Sequence, residues 1–169
     1  LCFEEENGVR YSPVTGVPTC ALPIFPTVFL GGGTPTILLP SQLKQILDTV
    51  QQSFNLTPDC EITIEANPAT LKLKALQEIR AAGYNRISIG VQSFDEKELK
   101  LLERVHNEEE IHSTIQQARS AKFENLSMDL MFALPDQTIE KWCSHLKQAS
   151  RSEERRVGKE CRSRRAPDH

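Results

Sequence analysis

The chain has 169 residues, of which 25% are charged and 38% hydrophobic, and its formal net charge is −3. This composition suits a soluble globular protein, no apolar run is long enough to cross a membrane, and the slight negative charge gives no reason to expect nucleic acid as a partner. The cysteines are far apart, without a CxxC pair that would indicate a clustered metal site: Cys2, Cys20, Cys60, Cys143 and Cys161. We therefore expect a reduced, cytoplasmic protein.

Residues 25–149 alternate short apolar strands with amphipathic helices. The pattern predicts strands near 26–31, 61–66, 86–91 and 126–131, and helices near 41–54, 71–82, 95–104, 108–121 and 138–149. Gly83 is placed to end a helix, and the spacings Asp95-x-x-Glu98 and Asn107-x-x-Glu110 resemble capping boxes. About four βα units follow from this pattern.

Strand–helix alternation with this spacing implies a parallel sheet with right-handed crossovers. An open doubly wound sheet and an incomplete parallel (β/α) barrel both satisfy the pattern. Periodicity alone does not choose between these two α/β folds.

The two ends of the chain, residues 1–24 and 150–169, differ from the middle because neither shows a periodic apolar face. The run from Arg151 to Cys161 resembles the conceptual translation of a common sequencing adapter, and the run from Val14 to Ile24 resembles that of the partner adapter. We interpret both segments as adapter-like and disordered; a basic tail or a disordered linker are the alternatives.

Three glycines, Gly31, Gly32 and Gly33, end the first predicted strand. Glycine allows positive φ and lets a ligand approach the main chain without a Cβ in the way. Later strands also end in polar groups, and in a barrel all of these would share one rim and face one pocket. Helix capping and turns explain Thr34, Asn67 and Ser93 well; they explain the carboxylates of Glu65 and Asp129 less well, because burying an unpaired carboxylate is costly.

Other motifs are missing from the sequence. The glycine run lacks the Gly-Lys-Ser/Thr of a P-loop and is not a GxGxxG fingerprint, and no serine lies in a GxSxG elbow. His106, His112 and His145 each stand alone on a predicted helix, which indicates surface histidines or histidines whose hydrogen bonds are satisfied.

Five motifs in one order carry a family resemblance. They are Phe29-Leu-Gly-Gly-Gly-Thr-Pro-Thr36, Thr63-Ile-Glu-Ala-Asn-Pro68, Arg86-Ile-Ser-Ile-Gly-Val-Gln-Ser-Phe94, Leu102-x-Arg-x-His106 and Asp129-Leu-Met-Phe-Ala-Leu-Pro-Asp-Gln-Thr138. This set resembles the radical S-adenosylmethionine (SAM) proteins, in particular the oxygen-independent coproporphyrinogen III oxidase-like family with its haem-chaperone branch. The resemblance implies a partial (β/α)₆ barrel, of which residues 25–149 would be the second to fifth strands.

The resemblance also implies a role for individual residues in binding SAM. The residues that match the family's cofactor-binding positions are Gly32, Gly33, Thr34, Glu65, Gln92, Arg104 and Asp129. The first three match the motif that receives the methionine end of the cofactor. A departure from the family is Ala133, where glycine is usual, which adds a methyl group near the rim.

A second departure concerns the iron–sulfur cluster. The family's Cys-x3-Cys-x2-Cys loop, which holds a [4Fe–4S] cluster, is absent from the 169 residues, and Cys20 is not its remnant. We therefore expect a truncated, inactive fragment, with the cluster present only in an intact parent. The resemblance implies porphyrin or haem as the parent's partner, in an oxidase that decarboxylates a propionate side chain or in a chaperone that transfers haem. A doubly wound binding domain without radical chemistry is the third hypothesis.

Overall fold

The computed structural model describes residues 23–151, which form four β-strands and five α-helices. In chain order these are β1 (Ile24–Leu30), α1 (Pro40–Ser53), β2 (Asn55–Ala66), α2 (Leu73–Ala82), β3 (Arg86–Gln92), α3 (Glu96–Leu101), α4 (Glu108–Ser120), β4 (Asn125–Leu130) and α5 (Ile139–Arg151). Most of both adapter-like segments therefore lies outside the described residues. At their inner ends, Ile24 begins β1 and Ser150 and Arg151 belong to the last turn of α5.

The strands form one parallel sheet in the order β1-β2-β3-β4. A doubly wound sheet reverses its strand order at a switch point, whereas this sheet grows in one direction with each strand followed by a helix. The structure therefore confirms an incomplete parallel (β/α) barrel over the doubly wound alternative.

Residues alternate between the two faces of the sheet, and one face packs on the helices. The strand residues on this face include Ile64, Ile87, Ile89 and Met128, all fully buried. They share a continuous core with apolar residues of α1, α2 and α4. Because parallel register places residues of neighbouring strands side by side, the same alternation aligns polar residues on the opposite face; Glu65 lies beside Ser88 and Ser88 beside Ser127.

The helix ends follow local sequence signals with one difference. Gly83 adopts φ +118° after α2, as predicted for a helix-ending glycine. Asn107 and Glu110 form the predicted reciprocal box at α4. Asp95 caps α3 by accepting hydrogen bonds from the backbone N–H groups of Lys97 and Glu98, but the Glu98 side chain turns into the protein interior instead of completing the box.

The Asp95 carboxyl has a pKa below its ordinary value. Burial raises the pKa, but the hydrogen bonds from the cap and the nearby Lys141 ammonium outweigh burial. Lys141 lies on α5, 3.3 Å from Asp95 Oδ2, and so the cap also ties α5 to α3. No helix between residues 23 and 151 is long and apolar enough to cross a bilayer.

Candidate functional site

The carboxyl ends of the four strands surround one open cavity of about 160 Å³. Its lining comprises Gly33, Thr34, Glu65, Ala66, Asn67, Ser88, Gly90, Gln92, Arg104 and Asp129. All residues that the sequence assigned to cofactor binding line this cavity except Gly32, which is bonded to one that does. The structure thus brings six of the seven predicted residues to one cavity, with Gly32 hydrogen-bonded to one of them.

The glycine loop after β1 is built around the Glu65 carboxylate. The Gly32 N–H donates a hydrogen bond to Glu65 Oε2 at 3.2 Å, and Gly32 and Gly33 have φ of +97° and +64°. Only glycine adopts such angles without strain. Gly31 is needed for a different reason: a Cβ there would lie 2.9 Å from Glu65 Cδ. The three glycines therefore let the main chain turn closely around a carboxylate.

Gln92 ends β3 in a strained conformation that turns it toward the cavity. Its φ of +66° lies in the left-handed region, which is unfavourable for a residue with a side chain. A Cβ on Gly90 would lie 2.9 Å from Gln92 Nε2, and so Gly90 leaves the space that the amide occupies. Backbone strain of this kind is concentrated at functional sites, where the surrounding fold maintains it.

Arg104 reaches the cavity from a loop rather than from a helix. The sequence predicts a helix to about residue 104, but α3 ends at Leu101, and Glu103 has a φ of +54° that turns the chain out of the helix. His106 anchors the other end of this loop, because its buried imidazole lies 3.0 Å from the Val91 carbonyl oxygen, with Nε2 as the donor in the matching tautomer. The exposed Arg104 is thus carried on a short loop fixed at both ends.

A chain of hydrogen bonds runs along the cavity face of the sheet to Asp129. Arg86 donates to Ser127 Oγ at 2.9 Å, Ser127 donates to Ser88 Oγ at 3.0 Å, and Ser88 donates to Asp129 Oδ2 at 3.1 Å. We call these four residues the Arg86 relay. The sequence analysis did not assign a role to Arg86, Ser88 or Ser127, although the alternation of polar and apolar residues in β3 and β4 is the signal that would have found them.

Ser93 and His145 belong to a second polar cluster, which is closed to the cavity. Glu98 Oε2 accepts a hydrogen bond from Ser93 Oγ at 2.6 Å and lies 3.0 Å from His145 Nε2. Gln137 donates to the same oxygen at 3.1 Å. His145 lies on α5, as the sequence indicates, and its partner Glu98 is 47 residues away in sequence. All three members of the Ser93–Glu98–His145 group are buried.

The other histidines and polar strand ends have varied surroundings. His112 is half-exposed and stacks on Phe94, with ring centroids 6.2 Å apart. His106 is buried in a loop and not on a helix. Thr34 precedes a short 3₁₀ turn without capping it by its side chain, and Asn67 lines the cavity.

The cavity residues fit SAM by their chemistry. SAM carries an ammonium, a carboxylate, a sulfonium and a ribose; the two carboxylates supply acceptors, Arg104 supplies a cation, the glycine main chain supplies N–H donors and Gln92 offers both donor and acceptor atoms. Residues 23–151 contain no comparable set of ligands for an iron–sulfur cluster, because no three His, Cys, Asp or Glu residues are grouped there to hold a metal. Burial raises the pKa of the Cys60 thiol.

The sequence matches the Radical SAM superfamily over residues 21–149. The chain belongs to this superfamily, whose members use SAM together with a [4Fe–4S] cluster.

Two named relatives are haem chaperones. The chain is 37% identical over 134 residues to heme chaperone HemW of Bacillus subtilis, covering 79% of this chain and 35% of the relative. It is 42% identical over 123 residues to heme chaperone HemW of Escherichia coli, covering 73% and 32%. The chain therefore spans about a third of the length of these curated relatives.

A solved structure with the same fold is an oxidase. The radical SAM enzyme coproporphyrinogen III oxidase (HemN) from Escherichia coli superimposes with a TM-score of 0.70 at 34% identity. The match covers 79% of this chain and 31% of the oxidase. The relatives thus include both branches of the oxidase-like family that the five motifs indicated.

Proposed function

We propose that the cavity binds SAM within a radical SAM protein of the oxygen-independent coproporphyrinogen III oxidase-like family. The observation that carries this proposal is the meeting of Glu65, Gln92, Asp129 and the glycine loop, from four separate strand ends, with Arg104 at one cavity. A helix-capping role would instead direct each side chain to its own local backbone. Asp95 and Asn107 show that local arrangement elsewhere in the same fold.

The cavity residues divide the work of binding by charge. Glu65 and Asp129 accept hydrogen bonds from the ammonium and ribose hydroxyl groups of the cofactor, and Arg104 and the main-chain N–H groups near Gly33 donate to its carboxylate. When bound beside a reduced [4Fe–4S] cluster, SAM supplies the hydrogen-abstracting radical chemistry of the superfamily. The residues of this chain would hold and orient the cofactor.

The substrate class follows from the relatives. We propose that the intact protein acts in porphyrin and haem metabolism, as an oxidase of the kind solved from Escherichia coli. The second candidate is a haem chaperone, which the printed names of the Bacillus subtilis and Escherichia coli relatives favour. We place either activity in the cytoplasm.

Recovery of the native coding sequence around this chain is the first test. We expect a three-cysteine loop shortly before residue 25. After anaerobic reconstitution with iron and sulfide, the full-length protein should assemble a cluster and the 169-residue chain, with its scattered cysteines, should not. A native sequence without that loop would contradict the proposal, whereas stoichiometric cluster formation in the 169-residue chain would contradict only the expectation that this chain holds no cluster.

SAM binding to the reconstituted full-length protein is the second test. Glu65→Ala and Asp129→Ala should each weaken binding by about 1.5–3 kcal/mol, the range of a charge-assisted hydrogen bond, without unfolding the protein. Glu78→Ala is the matched control, since Glu78 is a half-exposed carboxylate on α2 with only a long contact to Lys74. Normal SAM binding by both site variants would overturn the shared-site assignment.

The two candidate activities are separated by their ligands. An oxidase should release carbon dioxide from coproporphyrinogen III in the presence of SAM and a reductant. A chaperone should bind haem stoichiometrically, shown by a shifted Soret band, and transfer it to an apo-haemoprotein without decarboxylating coproporphyrinogen III.

A further inference from the structure

The Arg86 relay has one direction, which the chemistry of its members fixes. Arg86 has no acceptor, and so the Ser127 hydroxyl oxygen must accept from it and the Ser127 proton must be donated onward. Ser88 accepts that proton's hydrogen bond and donates its own to Asp129, whose ionised carboxylate can only accept. Every hydroxyl proton therefore points from the guanidinium toward the carboxylate.

The relay is enclosed by the fold. Ser88 and Ser127 are 2% and 5% exposed, and the Arg86 side chain is 15% exposed. Hydrogen bonds in such a low-dielectric setting polarise one another, and a chain that starts on a cation strengthens the bond at its far end. Arg86 is itself held in place, because it also donates to Thr63 Oγ1 at 3.1 Å and lies 3.6 Å from Glu61 Oε1.

The relay forms a hydrogen bond to only one oxygen of the Asp129 carboxylate. Ser88 binds Oδ2, whereas Oδ1 takes no hydrogen bond from residues 23–151, and Asp129 lines the cavity. A carboxylate held by one oxygen cannot rotate freely, and its other oxygen stays available to a ligand in the cavity.

We propose that Ser88 and Ser127 are positioning residues, which pass the influence of Arg86 to Asp129 and fix its carboxylate for SAM. The inference rests on the proposed function, since it assigns these residues a role in the same site. Arg86 and Ser127 do not line the cavity, whereas Ser88 does. All three act on affinity through the orientation of Asp129.

The test measures the dissociation constant of SAM with the reconstituted full-length protein by equilibrium dialysis. Ser88→Ala and Ser127→Ala should each weaken SAM binding by about 3- to 10-fold, the effect of one net hydrogen bond. Tyr84→Phe is the matched control, because it removes one buried hydroxyl, bonded to the Leu43 carbonyl at 3.0 Å, from outside the cavity. It should leave SAM binding unchanged.

A double-mutant cycle separates positioning from a merely structural role. In an Asp129→Ala background, neither serine substitution should weaken SAM binding further, since the group that they orient is gone. The same 3- to 10-fold loss in both backgrounds would overturn the relay. Thermal unfolding of each variant is recorded in parallel, and if Ser88→Ala does not fold, Ser127→Ala carries the cycle alone, because its side chain does not contact Asp129.

Failure of the relay and failure of the proposed function give different results. If the unsubstituted protein with its cluster does not bind SAM, the proposed function fails and the relay fails with it. If the protein binds SAM and Asp129→Ala weakens that binding, but Ser88→Ala and Ser127→Ala bind normally, only the relay is wrong.

Discussion

The two faces of the same sheet are held in place by different interactions, apolar packing on one and hydrogen bonds on the other. On the face toward the helices, Ile87 and Ile89 are fully buried among apolar side chains. On the cavity face, Arg86 and Ser88 of the same strand bond to polar partners on β2 and β4. A shift of one residue along β3 therefore exchanges a side chain that stabilises the fold for one that faces a ligand site.

The difference shows that the helix face contributes most of the free energy of folding, whereas the cavity face carries the groups that can bind a ligand. Apolar contacts on the helix face are collectively large and indifferent to any ligand. Polar groups on the cavity face are satisfied mainly by one another, and their net contribution to stability is small. Such a face keeps charged and hydroxyl groups ordered while leaving some of their atoms open to a cofactor.

The largest expected effect tests the helix face. Ile87→Ala should lower the free energy of unfolding by about 2–5 kcal/mol, because it leaves a cavity in a fully buried part of the core. Urea denaturation of the full-length protein measures this loss, and Ile87→Val, at about 0.5–1.5 kcal/mol, keeps the measurement possible if the alanine variant is too unstable. SAM affinity of the folded protein should not change.

The counterpart on the cavity face is Ser127→Ala, which should lower the free energy of unfolding by only about 1 kcal/mol. Equal losses of stability at Ile87 and Ser127, or a loss of SAM affinity in Ile87→Val, would remove the distinction between the two faces.

A smaller effect is expected from two glycines, of which one affects SAM binding and the other affects the stability of the fold. In Gly31→Ala the new methyl group lies 2.6 Å from Phe29 Cε1 and 2.9 Å from the Glu65 carboxyl, so both side chains must move, which disturbs the hydrogen bond from the Gly32 N–H to Glu65. SAM affinity should fall by about 1.5–3 kcal/mol, the range for a hydrogen bond to a charged group. In Gly83→Ala the φ of +118° strains the end of α2, and the free energy of unfolding should fall by about 1–2 kcal/mol.

Dialysis against SAM and urea denaturation, applied to both glycine variants, check this pair of effects. Gly83→Ala should bind SAM normally once folded. The prediction fails if Gly31→Ala retains full affinity, or if Gly83→Ala loses affinity as much as Gly31→Ala does.

Much of the fold could be predicted from the sequence because local signals were strong. The four strands and five helices follow from hydrophobic periodicity, and Gly83 and the Asn107–Glu110 box mark helix ends through bonds within one turn. Periodicity did not choose between a barrel and a doubly wound sheet, because that choice depends on the order in which the strands pair.

What the sequence did not show depends on contacts between distant residues. The bond between His145 and Glu98 could not be predicted, because Glu98 lies far away in sequence and only the packing of α5 beside α3 joins them. Arg104 was placed on a helix because helical periodicity continues past Leu101, and the left-handed turn at Glu103 has no marker such as glycine. The Arg86 relay likewise requires the register between β3 and β4, which periodicity does not supply.

The smallest expected effect concerns strain at the cavity rim. Ala133 follows β4 with a φ of +60°, a conformation that disfavours a residue with a Cβ by about 1–2 kcal/mol. Ala133→Gly relieves this strain but makes the unfolded chain more flexible, which offsets about 0.4–1 kcal/mol. The variant should therefore raise the free energy of unfolding by about 0.5–1 kcal/mol in urea denaturation and leave SAM affinity unchanged. Ala81→Gly, at an exposed helical position of α2, is the control and should lower stability by about 1 kcal/mol. If Ala133→Gly destabilises the protein as Ala81→Gly does, the rim is not strained, and the contrast between a relaxed helix face and a strained cavity edge does not hold at this residue.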